Sequence, residues 1–153
     1  MSLAQISKMF AQGVVDAQAV SEQDAMAAAA EAGLAAFVVD CDRARSRSAV
    51  LRAVVKALDY PEFFGGNLDA LYDCLSDTLI DQKTGLFLWF RHLHSGDPAL
   101  AEDAQAIQAV CDDVVEFGQN NERVFVYAIQ HAGAHPAAEP GVDPTPYSGR
   151  DGA

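Results

Sequence analysis

Two aspartates spaced one helical turn apart, Asp69 and Asp73, are the side chains whose spacing most clearly suggests chemistry. Residues four apart share one face of a helix, and Ser76 continues that face with Asp77 close by. Tyr72 falls on the border of a second face. Leucines at helical spacing predict that this second face is buried: Leu68, Leu71 and Leu75. The helix would therefore present carboxylates to water beside an aromatic ring.

The segment immediately before this helix, Phe63-Phe64-Gly65-Gly66, gives the acids a context. An acidic helix face by itself is usually a solvated surface. Aromatic side chains in a loop next to carboxylates are instead typical of protein interfaces, and the two glycines permit close backbone approach. Asn67 is a natural N-cap for the helix. Together these residues favour a docking surface for a basic protein.

Two other groups of residues could bind a metal ion. His92 and His94 would lie on one side of an extended strand, but the sequence offers no evident third ligand, so histidines at a strand end are the simpler interpretation. Asp40 and Asp42 follow an apolar run and could hold Mg²⁺ for phosphoryl transfer. The wider pattern of such phosphotransfer enzymes is missing, because Ala44 stands where Thr or Val is expected. An enzyme is the remote alternative.

Strands alternate with helices along the chain. The strands are apolar runs, of which the first is expected to be central in the sheet and buried on both faces: Leu34–Val39, Gly85–Arg91 and Arg123–Ile129. Helices are predicted from apolar spacing, capping residues and terminating glycines or prolines: a short helix ending at Gly13, then Ser21–Ala32, Arg47–Asp59, Asn67–Leu79 and Asp97–Gly118. Gly13–Ala17 is a candidate short strand. Parallel pairing through right-handed crossovers follows, which gives a small α/β layer.

The charge of the chain restricts its partners. The 153 residues suffice for one domain, and 10 Lys and Arg against 22 Asp and Glu give a formal charge of −12. Between Ala57 and Glu122 two cations face thirteen acids. This balance disfavours direct nucleic-acid binding, because phosphate backbones require positive charge. Half of the cations cluster in a segment that is interpreted as a solvated face, with a basic docking patch as the minor alternative: Arg43, Arg45, Arg47, Arg52 and Lys56.

The cysteines and the termini bear on localisation. Cys41, Cys74 and Cys111 are odd in number and widely spaced, so they predict neither a disulfide framework nor a zinc site, and a reducing cytoplasm fits them. Acids next to Cys74 would raise the pKa of its thiol, which favours a buried structural cysteine over a nucleophile. No signal-peptide pattern or membrane-spanning apolar run is evident. Residues 131–153, rich in Pro and Gly, are expected to form a disordered or loosely extended tail.

The run Pro61-Glu62-Phe63-Phe64-Gly65-Gly66-Asn67-Leu68-Asp69-Ala70-Leu71-Tyr72-Asp73-Cys74-Leu75 closely resembles the barstar family, intracellular inhibitors of barnase-type ribonucleases. The order of elements over residues 34–130 also resembles that family. The resemblance implies an α/β fold in which a small three-stranded parallel sheet is packed by helices. Residues 1–33 lie outside it and resemble extensions that add a helix and an edge strand.

The resemblance also implies roles for individual residues. Asp73 corresponds to the acid that enters the nuclease's phosphate-binding site, and Asp69 to a second acid that pairs with the cations there. Tyr72 stands in place of an interfacial tryptophan, and Phe63 in place of a tyrosine that stacks on the enzyme. Gly66 replaces a glutamate, so the specificity is expected to differ. A further acid of the family corresponds to one of three residues in the helix before the last strand: Asp112, Asp113 or Glu116.

The sequence thus predicts a cytoplasmic, non-enzymatic immunity protein that needs no cofactor or metal and binds neither nucleic acid nor membrane. Its partner would be a basic ribonuclease, either extracellular or a toxin. The alternative is a barstar-like module that binds a basic partner other than a nuclease. The residues expected to bind the partner are Phe63, Gly65, Asn67, Asp69, Tyr72, Asp73 and Asp77.

Overall fold

The computed structural model describes residues 2–135 and contains five helices and three strands within them. The helices are α1 (Leu3–Phe10), α2 (Glu22–Glu31), α3 (Arg47–Leu58), α4 (Leu68–Asp81) and α5 (Ala101–Asn120). The strands are β1 (Ala35–Asp40), β2 (Gly85–Leu93) and β3 (Val124–His131). The expected α/β arrangement around a three-stranded parallel sheet is confirmed.

The strand order in the sheet is β1-β2-β3, with all pairs parallel. β2 is therefore the central strand, and the expectation that the first strand is central is wrong. The burial of the two strands agrees with this order, because Gly85 to Phe90 are all buried, whereas four of the six β1 residues are half-exposed. Because nothing in residues 2–135 pairs with its outer side, β1 is an edge strand.

Side-chain caps start most of the helices. Ser2, Ser21, Ser46 and Asn67 each accept a hydrogen bond from a backbone N–H of the first turn. α5 begins at Ala101, later than the predicted Asp97, because the Asp97 side chain accepts from the Ala99 N–H and closes a separate turn first. α3 ends at Leu58, and the residue that caps it, Asp59, has a φ of 52° that turns the chain toward Tyr60 and Pro61. That turn leads directly into the segment Phe63–Gly66, the aromatic loop.

Each face of the sheet is covered by its own apolar layer. α3, α4 and α5 pack on one face, with Leu71, Leu75 and Leu79 of α4 fully buried in the larger cluster. Residues 6–29 cover the opposite face, where Ile6 and Phe10 pack with Phe87 and Trp89 of β2. The N-terminal extension is therefore the second wall of the core.

The extension is attached to the sheet by backbone and side-chain contacts. The Val15 N–H donates to the Tyr127 carbonyl at 2.9 Å, and the Tyr127 N–H donates to the Gly13 carbonyl at 3.1 Å. Since Val14 and Tyr127 form a single isolated bridge, the candidate strand at Gly13–Ala17 adds no fourth strand to the sheet. Arg91 of β2 donates two hydrogen bonds to the Glu22 carboxylate, at 2.9 and 2.7 Å. This bidentate pair fixes the start of α2 to the end of β2.

The end of the described chain stays close to the sheet. After β3, the Ala132 N–H donates to the Leu93 carbonyl at 2.8 Å, and His135 contacts Asp42 and Asp97. The rest of the expected tail, residues 136–153, lies outside the described residues. Within residues 2–135, no helix combines the length and the apolar character needed to cross a membrane.

Candidate functional site

An acidic face runs along α4 and is formed by Asp69, Asp73 and Asp77, all of which are exposed. The Asn67 side chain accepts from the Ala70 N–H at 3.1 Å and fixes where the helix begins, so the three carboxylates follow at one-turn intervals. No Lys, Arg or His of residues 2–135 forms an ion pair with any of them. The face therefore carries uncompensated negative charge.

Ser76 does not belong to this face, contrary to the prediction. Its side chain is only 6% exposed, and its hydroxyl has no hydrogen-bond partner among the described residues. Asp77 takes the third exposed position instead. The reason is the helical repeat: Ser76 lies next to Leu75 and one turn before Leu79, both of which are buried, so it turns toward the core.

The loop before α4 places aromatic side chains beside the acids. Phe63 is 38% exposed, while Phe64 is half-buried against the main core. The two rings stack with centroids 6.1 Å apart. Gly65 adopts a φ of 67°, which favours glycine, and a Cβ built there would meet nothing within 4 Å. Gly65 thus serves the turn and leaves open space on its outer side.

Two tyrosines border the acidic face. The half-buried Tyr72 packs edge-on against Phe117 of α5, with ring centroids 6.1 Å apart. The Tyr60 hydroxyl donates to the Asp77 carboxylate at 3.2 Å. Desolvation, helped by Asp77, raises the pKa of Tyr60, so this hydroxyl stays protonated as a donor. Tyr60 thereby connects the aromatic loop to the third acid of α4.

The three candidate acids of α5 differ in their surroundings. Asp112 accepts a hydrogen bond from the Tyr127 hydroxyl at 2.5 Å, so its carboxylate is used within the fold. Asp113 lies one helical turn before Phe117, the residue that contacts Tyr72, and Glu116 directly precedes Phe117. All three acids are exposed, and the hydrogen bond from Tyr127 is what distinguishes Asp112. The geometry therefore separates Asp112 from the other two.

The two pairs considered as metal ligands, His92 with His94 and Asp40 with Asp42, meet at the carboxyl ends of β1 and β2. His94 Nε2 lies 2.9 Å from Asp42 Oδ1, and His92 Nδ1 lies 3.7 Å from the same oxygen. Asp40 is 3.9 Å from Arg91. His92 adopts a φ of 52° where the β2–β3 register shifts, so the strand does not continue regularly through the histidines. In the described part of the chain, no group of three or more His, Cys, Asp or Glu could hold a metal ion.

Cys74 lies within α4 but faces the core, where it is fully buried. Burial raises the pKa of its thiol to about 12, and the charge of Asp77 contributes in the same direction. A thiol of this kind is almost entirely protonated at neutral pH and is a poor nucleophile. Cys41 and Cys111 are also fully buried, and burial raises the pKa of each thiol. The expectation of a structural Cys74 is confirmed.

Sequence reasoning missed three residues that contact the acidic face or the aromatic side chains next to it. Tyr60 and Phe117 contact Asp77 and Tyr72 as described above. The third is Arg52 of α3, whose guanidinium carbon lies 4.0 Å from the centroid of the Phe63 ring. The sequence signal was partial: Pro61 ends the helix two residues before Phe63, which places the loop near the end of α3 but does not identify Arg52 as its contact.

One comparison with known proteins identifies the family of this chain. No curated protein matches it significantly. The sequence profile described as Barstar (barnase inhibitor) matches residues 34–130, which is more than half of the chain and includes the sheet, α3, α4, α5 and the acidic face. The resemblance noted from the sequence is confirmed, and the chain belongs to the barstar family.

Proposed function

We propose that this protein inhibits a barnase-type ribonuclease by inserting the acidic face of α4 into the basic active site of the enzyme. The observation that carries the proposal is the row of three exposed carboxylates without cationic partners in residues 2–135, bordered by Phe63 and Tyr72. Membership in a family described as barnase inhibitors supports it.

A barnase-type ribonuclease carries positive charge that it cannot discard without losing its substrate. A ribonuclease concentrates positive charge to hold RNA phosphates, and the acidic face offers carboxylates in their place. Asp73, the middle acid of the row, would occupy the phosphate site, with Asp69 pairing the surrounding cations. Complementary fields of this kind accelerate association and lose strength as salt is added. Inhibition then follows from occupancy and requires no catalytic residue.

The aromatic and loop residues would complete the interface. Tyr72 and Phe63 would supply apolar contact area around the carboxylates, and Gly65 would allow close backbone approach. Asn67 would act indirectly, because its cap fixes the helix start and hence the direction of the acids. On α5, Asp113 and Glu116 remain free to contribute, whereas Asp112 is bonded to Tyr127. We place the protein in the cytoplasm, where three unpaired thiols remain reduced.

The test is inhibition of RNA cleavage by a purified barnase-type ribonuclease titrated with the wild-type protein, with D73A and with D69A. The wild type should suppress cleavage at a one-to-one ratio. D73A should weaken binding by about 2–5 kcal/mol, roughly 30- to 5,000-fold in Kd, because the partner's cations are left without their counter-charge. Circular dichroism should show that the variant stays folded.

The matched control is D24A in α2, an exposed aspartate whose loss changes the net charge equally on the opposite side of the sheet. It should inhibit like the wild type. Inhibition by D73A equal to that by D24A would refute the proposal. If a panel of ribonucleases is unaffected while an unrelated basic protein binds through Asp73, the docking surface stands and the inhibitor function is wrong.

A further inference from the structure

A cationic side chain of α3, Arg52, lies on the aromatic loop next to the acidic face. The inhibitor function does not explain this positive charge. The Arg52 guanidinium lies over one face of the Phe63 ring, 4.0 Å from its centroid, and Phe64 stacks against Phe63. A partner that reaches Phe63 therefore meets the guanidinium together with the ring. The cation–π contact also favours this position of the long, exposed Arg52 side chain.

The charge of Arg52 is not neutralised within the described fold. The other arginine of α3, Arg47, lies 3.4 Å from Asp103, but no acid of residues 2–135 forms an ion pair with Arg52. α3 itself contains no Asp or Glu from Arg47 to Leu58. Arg52 is also exposed. An unpaired cation thus lies on Phe63, in the loop that leads into the helix of the acidic face.

The Arg52 cation is unfavourable for binding the cationic enzyme surface that the acids require. An active site able to accept Asp73 is rich in cations, and juxtaposing Arg52 with another cation would oppose binding. The contact becomes favourable when the partner places a carboxylate against Arg52. We infer that Arg52, held on Phe63, is a specificity-determining residue that selects ribonucleases bearing an acidic side chain beside their cationic active site. The inference rests on the proposed function. It adds a contact between Arg52 and a carboxylate of the partner to the contacts between the α4 acids and the partner's cations.

The test compares Kd values for a ribonuclease that the wild-type protein inhibits. R52E should weaken binding about tenfold or more, since it brings a carboxylate against the partner's carboxylate. R52K keeps the charge but loses the planar stacking, so it should lie between the wild type and R52E. K8E in α1 is the control, because it makes the same change of charge on the opposite side of the sheet. K8E should bind like the wild type.

The outcomes separate this inference from the proposed function. If D73A weakens binding while R52E binds as tightly as K8E or more tightly, the inference about Arg52 is overturned and the inhibitor function stands. If D73A and R52E both bind like the wild type, the acidic face is not the interface and both proposals fail. A graded loss from the wild type through R52K to R52E, largest at low salt, supports the selection of an acidic partner residue.

Discussion

Two groups of carboxylates in this protein have opposite environments. Those near the carboxyl ends of β1 and β2 have cationic or imidazole partners: Glu22 with Arg91, and Asp42 with His94. Those of the acidic face of α4 have no such partner in the described structure. The difference shows how one acidic chain divides its charge. Paired acids hold the N-terminal extension and the last described residues, up to His135, against the sheet, whereas the α4 acids have no cationic partner there and are available to another protein.

The same division appears in the energetics. Arg91 donates two hydrogen bonds to Glu22 and holds the pKa of that carboxyl below its ordinary value, so ionised Glu22 stabilises the fold. Asp69, Asp73 and Asp77 lie at intervals at which like charges destabilise a helix. Asp73, between two like charges, is thus a small cost to the fold, which binding a cationic partner would relieve; Asp69 is favoured in the first turn of α4, and Asp77 accepts from Tyr60.

The largest effect on stability should come from the apolar layer of the N-terminal extension, which the Glu22–Arg91 pair attaches to the sheet. I6A removes a fully buried side chain of α1 and should destabilise the protein by about 2–5 kcal/mol. Urea unfolding can be followed by fluorescence of Trp89, the single tryptophan, which lies in the same cluster. At low urea, inhibition should match that of the wild type. Unchanged stability would mean that the extension is not part of the cooperative core.

The Glu22–Arg91 pair should have the next largest effect. E22Q should destabilise the protein by about 1 kcal/mol near pH 7, since both side chains are partly exposed. The pKa of Glu22 is lowered by folding, so its contribution is present above about pH 4.3 and is lost as the pH falls through the folded value. The difference between the wild type and E22Q should therefore vanish in acid. A difference that stays constant down to pH 3 would contradict the assignment.

His94 should give a smaller effect with the opposite pH dependence. Burial opposes its charge, but Asp42 and the Gly133 carbonyl accept from both ring nitrogens and raise the pKa of His94. Its contribution is present below about pH 6.5 and is lost as the pH rises through the folded value. H94Q should cost less than about 1 kcal/mol at pH 6 and less still at pH 8.5. Equal losses at the two pH values would show that protonation is not involved.

The smallest effect should be a gain in stability from the unpaired acids. D73N removes one charge from the α4 row and should raise the urea midpoint by an amount equivalent to about 0.2–0.5 kcal/mol. The same variant should inhibit poorly, so stability and inhibition would change in opposite directions. D24N in α2 provides the comparison. A clear loss of stability in D73N would show that the carboxylate serves the fold and would weaken the contrast between the two groups.

Much of the α4 site was predictable because its determinants are local in sequence. Asn67 sets the helix start, the leucine spacing sets the buried face, and Asp69 and Asp73 follow from both. Ser76 was misplaced because it lies near the boundary of the faces, where a small rotation decides burial. Tertiary neighbours settle such positions, and helical spacing alone does not.

Features that depend on distant contacts were not predictable. The central position of β2 and the edge position of β1 depend on strand order, which two similar apolar runs cannot reveal. The Glu22–Arg91 pair joins residues far apart in the chain, so no short-range pattern marks it. The contact between Arg52 and Phe63 crosses the Pro61 turn, and composition alone assigned that arginine to a solvated cluster.

The three buried cysteines make the protein a reporter of its own opening. Cys41 directly follows β1, Cys74 lies in α4 and Cys111 lies in α5. Each of the three thiols is shielded from solvent. A thiol reagent should modify each site only when the surrounding element opens. Mass spectrometry of labelled peptides would then give a separate opening rate for each of three parts of the domain. If the measurement is repeated with a ribonuclease bound, it would show how much binding of a partner at α4 slows opening at each of the three cysteines.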